Sequence, residues 1–296
     1  MSRTLRVGAR GSRLSLWQVQ YAIERLQHRG VPVDLVLLSS SGDRDRALAI
    51  EDLPSAAPFA DDLEDALAAG AIDVAVHSLK DLALVPPAGL VVSALLPRGS
   101  VTESLVSRNH IRFDALPPGS VIGTCSSRRQ AQVRLRRRDL VCRPIRGPVD
   151  DRVEQVRSGR FDAAILATAG LERLDLSNAI TETFAASDFV PAAGQGALAL
   201  QVRESDAGAR ALTASLDHFA TRLATTAERA AQCHLDAAGQ LAAACAFVHH
   251  AFITLHLRLL ARDGFDAVDV LASGTDPDRV ARDAAGRALD RWAVAR

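Results

Sequence analysis

The dipeptide Lys80-Asp81 closes an apolar run, one residue after His77-Ser78. A carboxylate in that place can accept hydrogen bonds from a group that becomes cationic, and it can carry protons. A surface ion pair at a strand end would use the same two residues and contribute little to stability. Lys80 is, however, the only lysine among 35 basic residues, and an ammonium differs from a guanidinium in shape, hydration and pKa range. Arginines gather at other chemically useful places. Arg10 and Ser12 follow one apolar run, while Thr124, Ser126, Arg128 and Arg129 follow another and open a helix. Arg146 and Arg152 flank a loop and a helix start, and Arg173 follows Ala169-Gly170-Leu171. Amides, hydroxyls and guanidiniums so placed converge on anions. Arginine standing in for lysine on a solvated face explains any one of these sites. Taken together, at loops on the same edge of two sheets, they suit a ligand with several carboxylates or phosphates.

The elements that must position these residues follow from periodicity. Residues 5–9 read as a strand, 14–26 as a helix with Leu16, Val19, Ile23 and Leu26 on one side, and 31–38 as a second strand. A short helix over 59–69 leads to a buried strand over 72–76, which ends at His77. This βαβαβ order predicts an α/β domain with a largely parallel sheet. The pattern restarts near residue 104, where strands at 121–123, 139–143 and 163–167 alternate with helices at 127–136 and 150–157. Two such units in succession predict a cleft between them, with ligands at the strand ends. A loop over 189–196 leads to a strand at 197–202, then to helices at 209–216 and 219–235. Residues 243–260 and 267–272 alternate like antiparallel strands, and 276–295 read as a helix with Pro277 in its first turn. The expected division is residues 1–98 with 197–217, residues 99–196, and a small C-terminal α+β domain over 218–296.

Composition narrows the function classes. The 296 residues are 48% hydrophobic and 24% charged, a globular balance. Thirty-five basic side chains match 35 acidic ones, so no global charge argues for nucleic acid. No apolar run reaches the roughly 18 residues of a membrane span. Residues 1–10 lack the apolar stretch of a secretory signal. Cys125, Cys142, Cys233 and Cys245 have no C-x-x-C spacing, which argues against a zinc ribbon or a disulfide framework. The eight histidines, His249-His250 included, give no clear metal-ligand cluster, because adjacent side chains on a strand face opposite ways. The expectation is a monomeric cytoplasmic protein with no metal, no nucleic-acid partner and no membrane association.

Five motifs then make the chain recognisable. They are Val76-His77-Ser78-Leu79-Lys80-Asp81, Gly123-Thr124 with Ser126 and Arg128-Arg129-Gln130, Ile145-Arg146-Gly147, Ala169-Gly170-Leu171-Glu172-Arg173-Leu174 and Ala193-Gly194-Gln195-Gly196-Ala197. In order and spacing they resemble hydroxymethylbilane synthases, also called porphobilinogen deaminases. The likeness runs over residues 4–235, and Thr226-Ala227-Glu228-Arg229 continues it into the C-terminal part. The resemblance implies two type 2 periplasmic-binding-protein-like α/β domains around a cleft, plus a small C-terminal α+β domain. It also implies a chemistry. Porphobilinogen, a pyrrole with an aminomethyl group and two carboxylate arms, loses ammonia to give an electrophilic azafulvene. The free α-carbon of another pyrrole attacks it, and four condensations on a covalent dipyrromethane primer build a linear tetrapyrrole. By position, Asp81 is implied as the catalytic carboxylate that hydrogen-bonds the pyrrole N–H as positive charge develops, with Lys80 beside it. Arg10, Ser12, Thr124, Ser126, Arg128, Arg129, Arg146, Arg152 and Arg173 are implied as holders of cofactor and substrate carboxylates. Gln195 falls in the matching loop between domains and is implied as a further substrate contact.

The chain departs from this pattern in two regions. The family carries its primer on the cysteine of an E-G-G-C-Q loop, and the equivalent stretch here is Asp236-Ala237-Ala238-Gly239-Gln240. Gly239 has no nucleophile. Cys233 and Cys245, six residues to either side, are the candidate substitutes, each otherwise a small buried apolar side chain. The family's lid, K-x-G-G-K-G-L-F, reads here Asp52-Leu53-Pro54-Ser55-Ala56-Ala57-Pro58-Phe59, without the lysines and glycines and with two stiffening prolines. Pro148 also replaces the asparagine usual after Arg146-Gly147, and Cys125 stands where the family has a serine. Deamination residues are spared and primer and elongation residues are lost. The expectation is a divergent deaminase or transferase that gives its azafulvene to a free acceptor, with no covalent cofactor. An ordinary synthase carrying dipyrromethane on another cysteine is the first alternative. A non-catalytic binder of polycarboxylate pyrroles is the second. In all three readings the partner is a small pyrrole carboxylate.

Overall fold

Leu5, Val7 and Ala9 alternate along β1 (Leu5–Arg10) and are fully buried, which seats this strand inside a sheet. The computed structural model describes residues 3–38 and 60–294, which fall into two units: residues 1–99 with 196–222, and residues 100–195 with 223–296. In the first unit β1 runs parallel to β2 (Val33–Leu38) and to β3 (Val74–Ser78). A later strand, β10 (Leu198–Arg203), lies antiparallel between β3 and β4 (Leu90–Leu95), giving the order β2-β1-β3-β10-β4. Helix α1 (Arg13–His28) buries Ser15, Gln18, Val19, Ala22, Ile23 and Leu26. Leu16, expected in that stripe, is only half-buried, and two polar residues take part in its place. The helix expected over 59–69 is α2 (Asp61–Ala68), and the lid-like stretch Asp52 to Phe59 lies outside the described residues.

Asp73, just ahead of β3, fastens the end of the sheet remote from Arg10. Its carboxylate pairs with Arg3 at 2.8 Å, Arg6 at 2.9 Å and Arg203 at 3.0 Å. Burial pushes this carboxyl up, but the hydrogen bonds from Arg6 and Arg203 outweigh it and hold the group well below the usual range.

The second unit repeats the plan. β6 (Val121–Gly123) is parallel to β7 (Val141–Arg143) and β8 (Ala163–Ala167). β5 (Glu103–Ser107) lies antiparallel between β8 and β9 (Glu182–Thr183), so the order is β7-β6-β8-β5-β9. Both sheets are therefore mixed rather than largely parallel. Their parallel halves carry the strand–helix alternation, while β4, β5 and β9 stand outside it and were not read from the sequence. Helices α3 (Ser127–Arg136), α4 (Val149–Arg157) and α5 (Thr168–Arg173) follow β6, β7 and β8. Phe184 anchors the core, edge-on to Phe113 at 5.4 Å and stacked on Phe189 at 5.1 Å.

The chain then passes α6 (Ala207–Ala214) and α7 (Phe219–Ala237) and forms an antiparallel sheet of β11 (Leu241–His249), β12 (Phe252–Leu260) and β13 (Ala267–Gly274). Ala244, Ile253, Leu255, Leu257 and Val270 pack with Ala227, Ala231 and Leu235 of α7 and with Ala281, Ala284 and Ala288 of α8 (Pro277–Val294). Asp276 caps α8 by accepting the amides of Asp278 and Arg279, each at 3.0 Å, with Pro277 at the first helical position. The run expected over 243–260 is a hairpin. His250 and Ala251 adopt φ of 46° and 66° and turn the chain in two residues. His250 thus leaves the strand, and its ring meets that of His249 edge-on at 4.2 Å rather than facing away.

Arg258 of β12 is buried and donates to Asp269, to Gln132 of α3 at 3.1 Å and to the Asp188 carbonyl at 2.8 Å. These bonds fasten the C-terminal sheet to the second α/β sheet. The three-part division read from the sequence is a division by sheet, whereas the contacts gather the last two sheets into one unit. Among the described residues no helix is long and apolar enough to cross a membrane.

Candidate functional site

Because β1 and β3 are adjacent parallel strands, their carboxyl ends bring Arg10 beside His77 and Ser78. One 3-10 turn, Leu79–Asp81, then places Asp81 against them. Arg10, Ser15, Gln18, Val76, His77, Ser78 and Asp81 line a pocket of about 10 Å³. Ser12 caps α1, its Oγ accepting the Ser15 amide at 3.3 Å, a contact worth about 1 kcal/mol. The Ser15 hydroxyl accepts the Arg10 amide at 3.0 Å, and Gln18 Nε2 donates to Ser78 Oγ at 2.9 Å. Lys80 and Asp81 are half-buried. His77 is 3% exposed. Burial, with Arg10's charge behind it, lowers its pKa to about 3, so the ring is neutral at physiological pH. The structure thus gathers Arg10, Ser12, Lys80 and Asp81 at one sheet edge. Ser15 and Gln18 went unassigned in the sequence, although two polar residues inside the apolar stripe of α1 were a usable signal.

The second unit has a comparable strand end. Thr124 follows β6 and its hydroxyl accepts the Ser126 amide at 3.2 Å, while Ser126 caps α3 through the Arg129 amide at 3.4 Å. Arg152 Nε donates to the Gly147 carbonyl at 2.7 Å, the Arg146 carbonyl accepts from Gln155 at 2.9 Å, and Arg173 closes α5. Arg146, Arg152 and Arg173 are half-buried.

Three of the residues implied as ligand contacts have partners within the framework. Glu103 of β5 is fully buried and takes Arg128 Nη2 at 2.5 Å, Arg129 Nε at 3.0 Å and Arg129 Nη2 at 2.6 Å. Arg128 Nη1 also donates to the Val190 carbonyl at 2.7 Å. Gln195 is fully buried, with its amide on the carbonyls of Val101 at 2.8 Å and Thr102 at 3.1 Å. Two guanidiniums on one carboxylate satisfy a buried charge that could not otherwise stay ionised. Glu103 went unnoticed because it sits on a strand the sequence did not reveal.

At the implied primer position, Gly239 has φ of 71°. Its amide bonds the Asp236 carbonyl at 2.9 Å, and the Gln240 amide bonds that of Leu235 at 3.0 Å. This is a Schellman turn, in which a left-handed glycine ends a helix. Gly239 therefore stops α7 and hands the chain to β11. A side chain there would meet no atom within 4 Å, and an open recess of about 410 Å³ adjoins it, lined in part by Gln240, Arg262, Asp263 and Trp292. The residues present do not fit a thioether-held group at this position. Cys245 is buried in a cluster with Ala131, Val190, Ala243 and Leu260. Cys142 is half-buried, and burial pushes its thiol up to about 11. Cys125 bonds the Ile145 carbonyl, and Cys233 is exposed on α7. Glu228, from the Thr226–Arg229 motif, is fully buried and accepts the amides of Gly194 at 2.7 Å and Ala246 at 2.6 Å, a structural tie.

Each unit thus holds a mixed α/β sheet of the same strand order, with polar side chains at the carboxyl ends of its parallel strands, as the resemblance implied. Comparison with known proteins narrows the class. The family model described as "Porphobilinogen deaminase, dipyromethane cofactor binding domain" matches residues 5–211. The porphobilinogen deaminase of Thermobifida fusca is 40% identical over 89% of this chain and 83% of its own length. That of Chromobacterium violaceum is 38% identical over 96% of this chain and 92% of its own. Among solved structures, a periplasmic substrate-binding protein of an ABC transporter from Coxiella burnetii is similar at 16% identity, covering 76% of this chain and 96% of its own, with a TM-score of 0.46. The chain belongs to the porphobilinogen deaminase family, a family of transferases.

Proposed function

We propose that the chain deaminates porphobilinogen or a closely similar pyrrole carboxylate and couples the product to a free acceptor, without a thioether-held primer. The observation that carries this reading is the Schellman turn at Gly239, where the position implied for primer attachment serves as a helix stop. In the proposed reaction Asp81 accepts a hydrogen bond from the pyrrole N–H. The bond from the methylene to the protonated amine breaks with its electron pair on nitrogen, and neutral ammonia leaves. Positive charge spreads over the ring and is stabilised by the Asp81 carboxylate. The acceptor's α-carbon attacks the methylene, and the proton it sheds passes to Asp81. Arg10, Arg146, Arg152 and Arg173 are the proposed holders of carboxylate arms, and Lys80 supports Asp81. The relatives' name and the matched motifs support the substrate class.

One observation favours a second reading. Cys233 is exposed on α7 and available to carry a primer, which would make the chain an ordinary synthase with displaced attachment. Intact mass of the denatured protein, purified from cells that make porphobilinogen, tests the two. An unmodified mass is expected. A gain of two condensed pyrrole units, lost in Cys233→Ala, would establish the second reading instead.

A further inference from the structure

Two buried polar atoms near Asp81 lack a partner in the described structure: His77 Nε2 and the side-chain carbonyl oxygen of Gln201. They belong to neighbouring antiparallel strands, β3 and β10, where His77 lies opposite Ala199 and Gln201 opposite Ala75. Strand side chains alternate, so Gln201 and Ala199 share a face with His77. Gln201 Nε2 donates to Glu64 Oε1 of α2 at 2.7 Å. Glu64 is buried, and burial raises its carboxyl above the usual range. The amide nitrogen of Gln201 is thus committed to Glu64, and its oxygen can only accept.

A buried polar group without a partner forfeits its hydration with nothing in return, so leaving both atoms orphaned is expensive. One arrangement satisfies them together: His77 Nε2 carries the proton and donates to Gln201. The choice of tautomer then propagates. With the proton on Nε2, His77 Nδ1 has only a lone pair. The adjoining pocket, lined by His77, Ser78, Arg10 and Asp81, measures about 10 Å³, room for one water molecule.

We infer that His77 is a positioning residue: Glu64 and Gln201 hold it as the neutral Nε2–H tautomer, and through one water in this pocket it orients the Asp81 carboxylate. The water donates one hydrogen to His77 Nδ1 and the other to Asp81. A histidine of the opposite tautomer would donate to that water, leaving one of the water's hydrogens unmatched and its orientation toward the carboxylate less constrained. The charged groups bearing on the ring are Arg10 from β1, Glu64 from α2 and Asp81 from the turn. The functional half of this inference rests on Asp81 acting as proposed above, while the tautomer does not.

Two-bond 1H–15N correlation spectra of the full chain, recorded between pH 5 and 8, read the ring directly. His77 is expected to show the Nε2–H pattern throughout, without titrating. An Nδ1–H pattern, or titration near the ordinary value of about 6.5, would overturn the inference. Gln201→Leu removes the acceptor and is expected to shift the ring toward Nδ1–H. If that variant does not fold, the wild-type spectrum decides alone. In ammonia-release kinetics, His77→Phe is expected to lower kcat roughly 10- to 100-fold with KM nearly unchanged. Wild-type kcat in His77→Phe would overturn the positioning role. No ammonia release from wild type would instead count against the proposed function and leave the tautomer to the spectra.

Discussion

Around the end of β3, Arg10, Ser78 and Asp81 line one polar pocket, and the hydroxyls and amides behind them are bonded to one another. At the end of α7 the chain offers a glycine in a helix-stopping turn, a recess open to solvent and a cysteine buried in apolar company. Both regions belong to a chain about 40% identical to curated porphobilinogen deaminases, so their difference is local. On the proposed reading, the carboxylate that would stabilise a developing cation has been kept together with the residues around it. A residue that would anchor a growing product is replaced by one whose physical task, ending a helix with positive φ, is complete in itself. The contrast teaches that the two positions rest on different strands and helices, so one can change without the other, and the proposed function requires that deamination and anchoring be separable in this way.

Four changes break or sharpen this contrast. Asp81→Asn keeps shape and hydrogen bonding but removes the charge and the proton acceptor. It should lower ammonia release at least about 100-fold, measured by steady-state assay, with unchanged far-UV circular dichroism. Glu103→Ala probes the frame of the second unit. It strands Arg128 and Arg129 in a buried setting and should cost about 3–5 kcal/mol in a denaturant melt.

The third change is read in acid. His77 has a folded-state pKa of about 3 against an ordinary 6.5, so the unfolded chain takes up the proton first as pH falls. Stability should decline from about pH 6.5 downward, by about 2 kcal/mol at pH 5 from this group alone. His77→Gln should flatten that decline in melts recorded across the range. The smallest effect belongs to the other region. Gly239→Ala should cost about 1 kcal/mol, because a side chain at φ of 71° is strained although nothing crowds it. A neutral result there would mean that Gly239 is not needed as a helix stop, and the structural half of the comparison would fail.

The parallel half of each sheet was legible because strand–helix alternation leaves a periodic trace, as in β1, α1 and β3. β5 was not, since it stands outside that alternation and, buried on both faces, shows no period of two. That omission hid Glu103, and with it the partner that draws Arg128 and Arg129 into the interior. The framework bonds of Gln195 were hidden for a similar reason: its two carbonyl acceptors lie 93 and 94 residues away, on a segment with no local signal. That Asp81, Arg10 and Ser12 come together was readable because they lie at or just beyond the ends of β1 and β3, neighbouring parallel strands. The absent nucleophile at Gly239 was plain from the sequence, but its physical job needed the hydrogen bonds of the turn.

The separation of deamination from anchoring is tested most directly by quenching a reaction of the purified protein with porphobilinogen during turnover, measuring released ammonia and intact protein mass in the same sample. Ammonia release that proceeds while the protein keeps its unmodified mass is the predicted result. Ammonia that appears only once the protein has gained two condensed pyrrole units would contradict the account, and Cys233 would then be the first place to look for the bond.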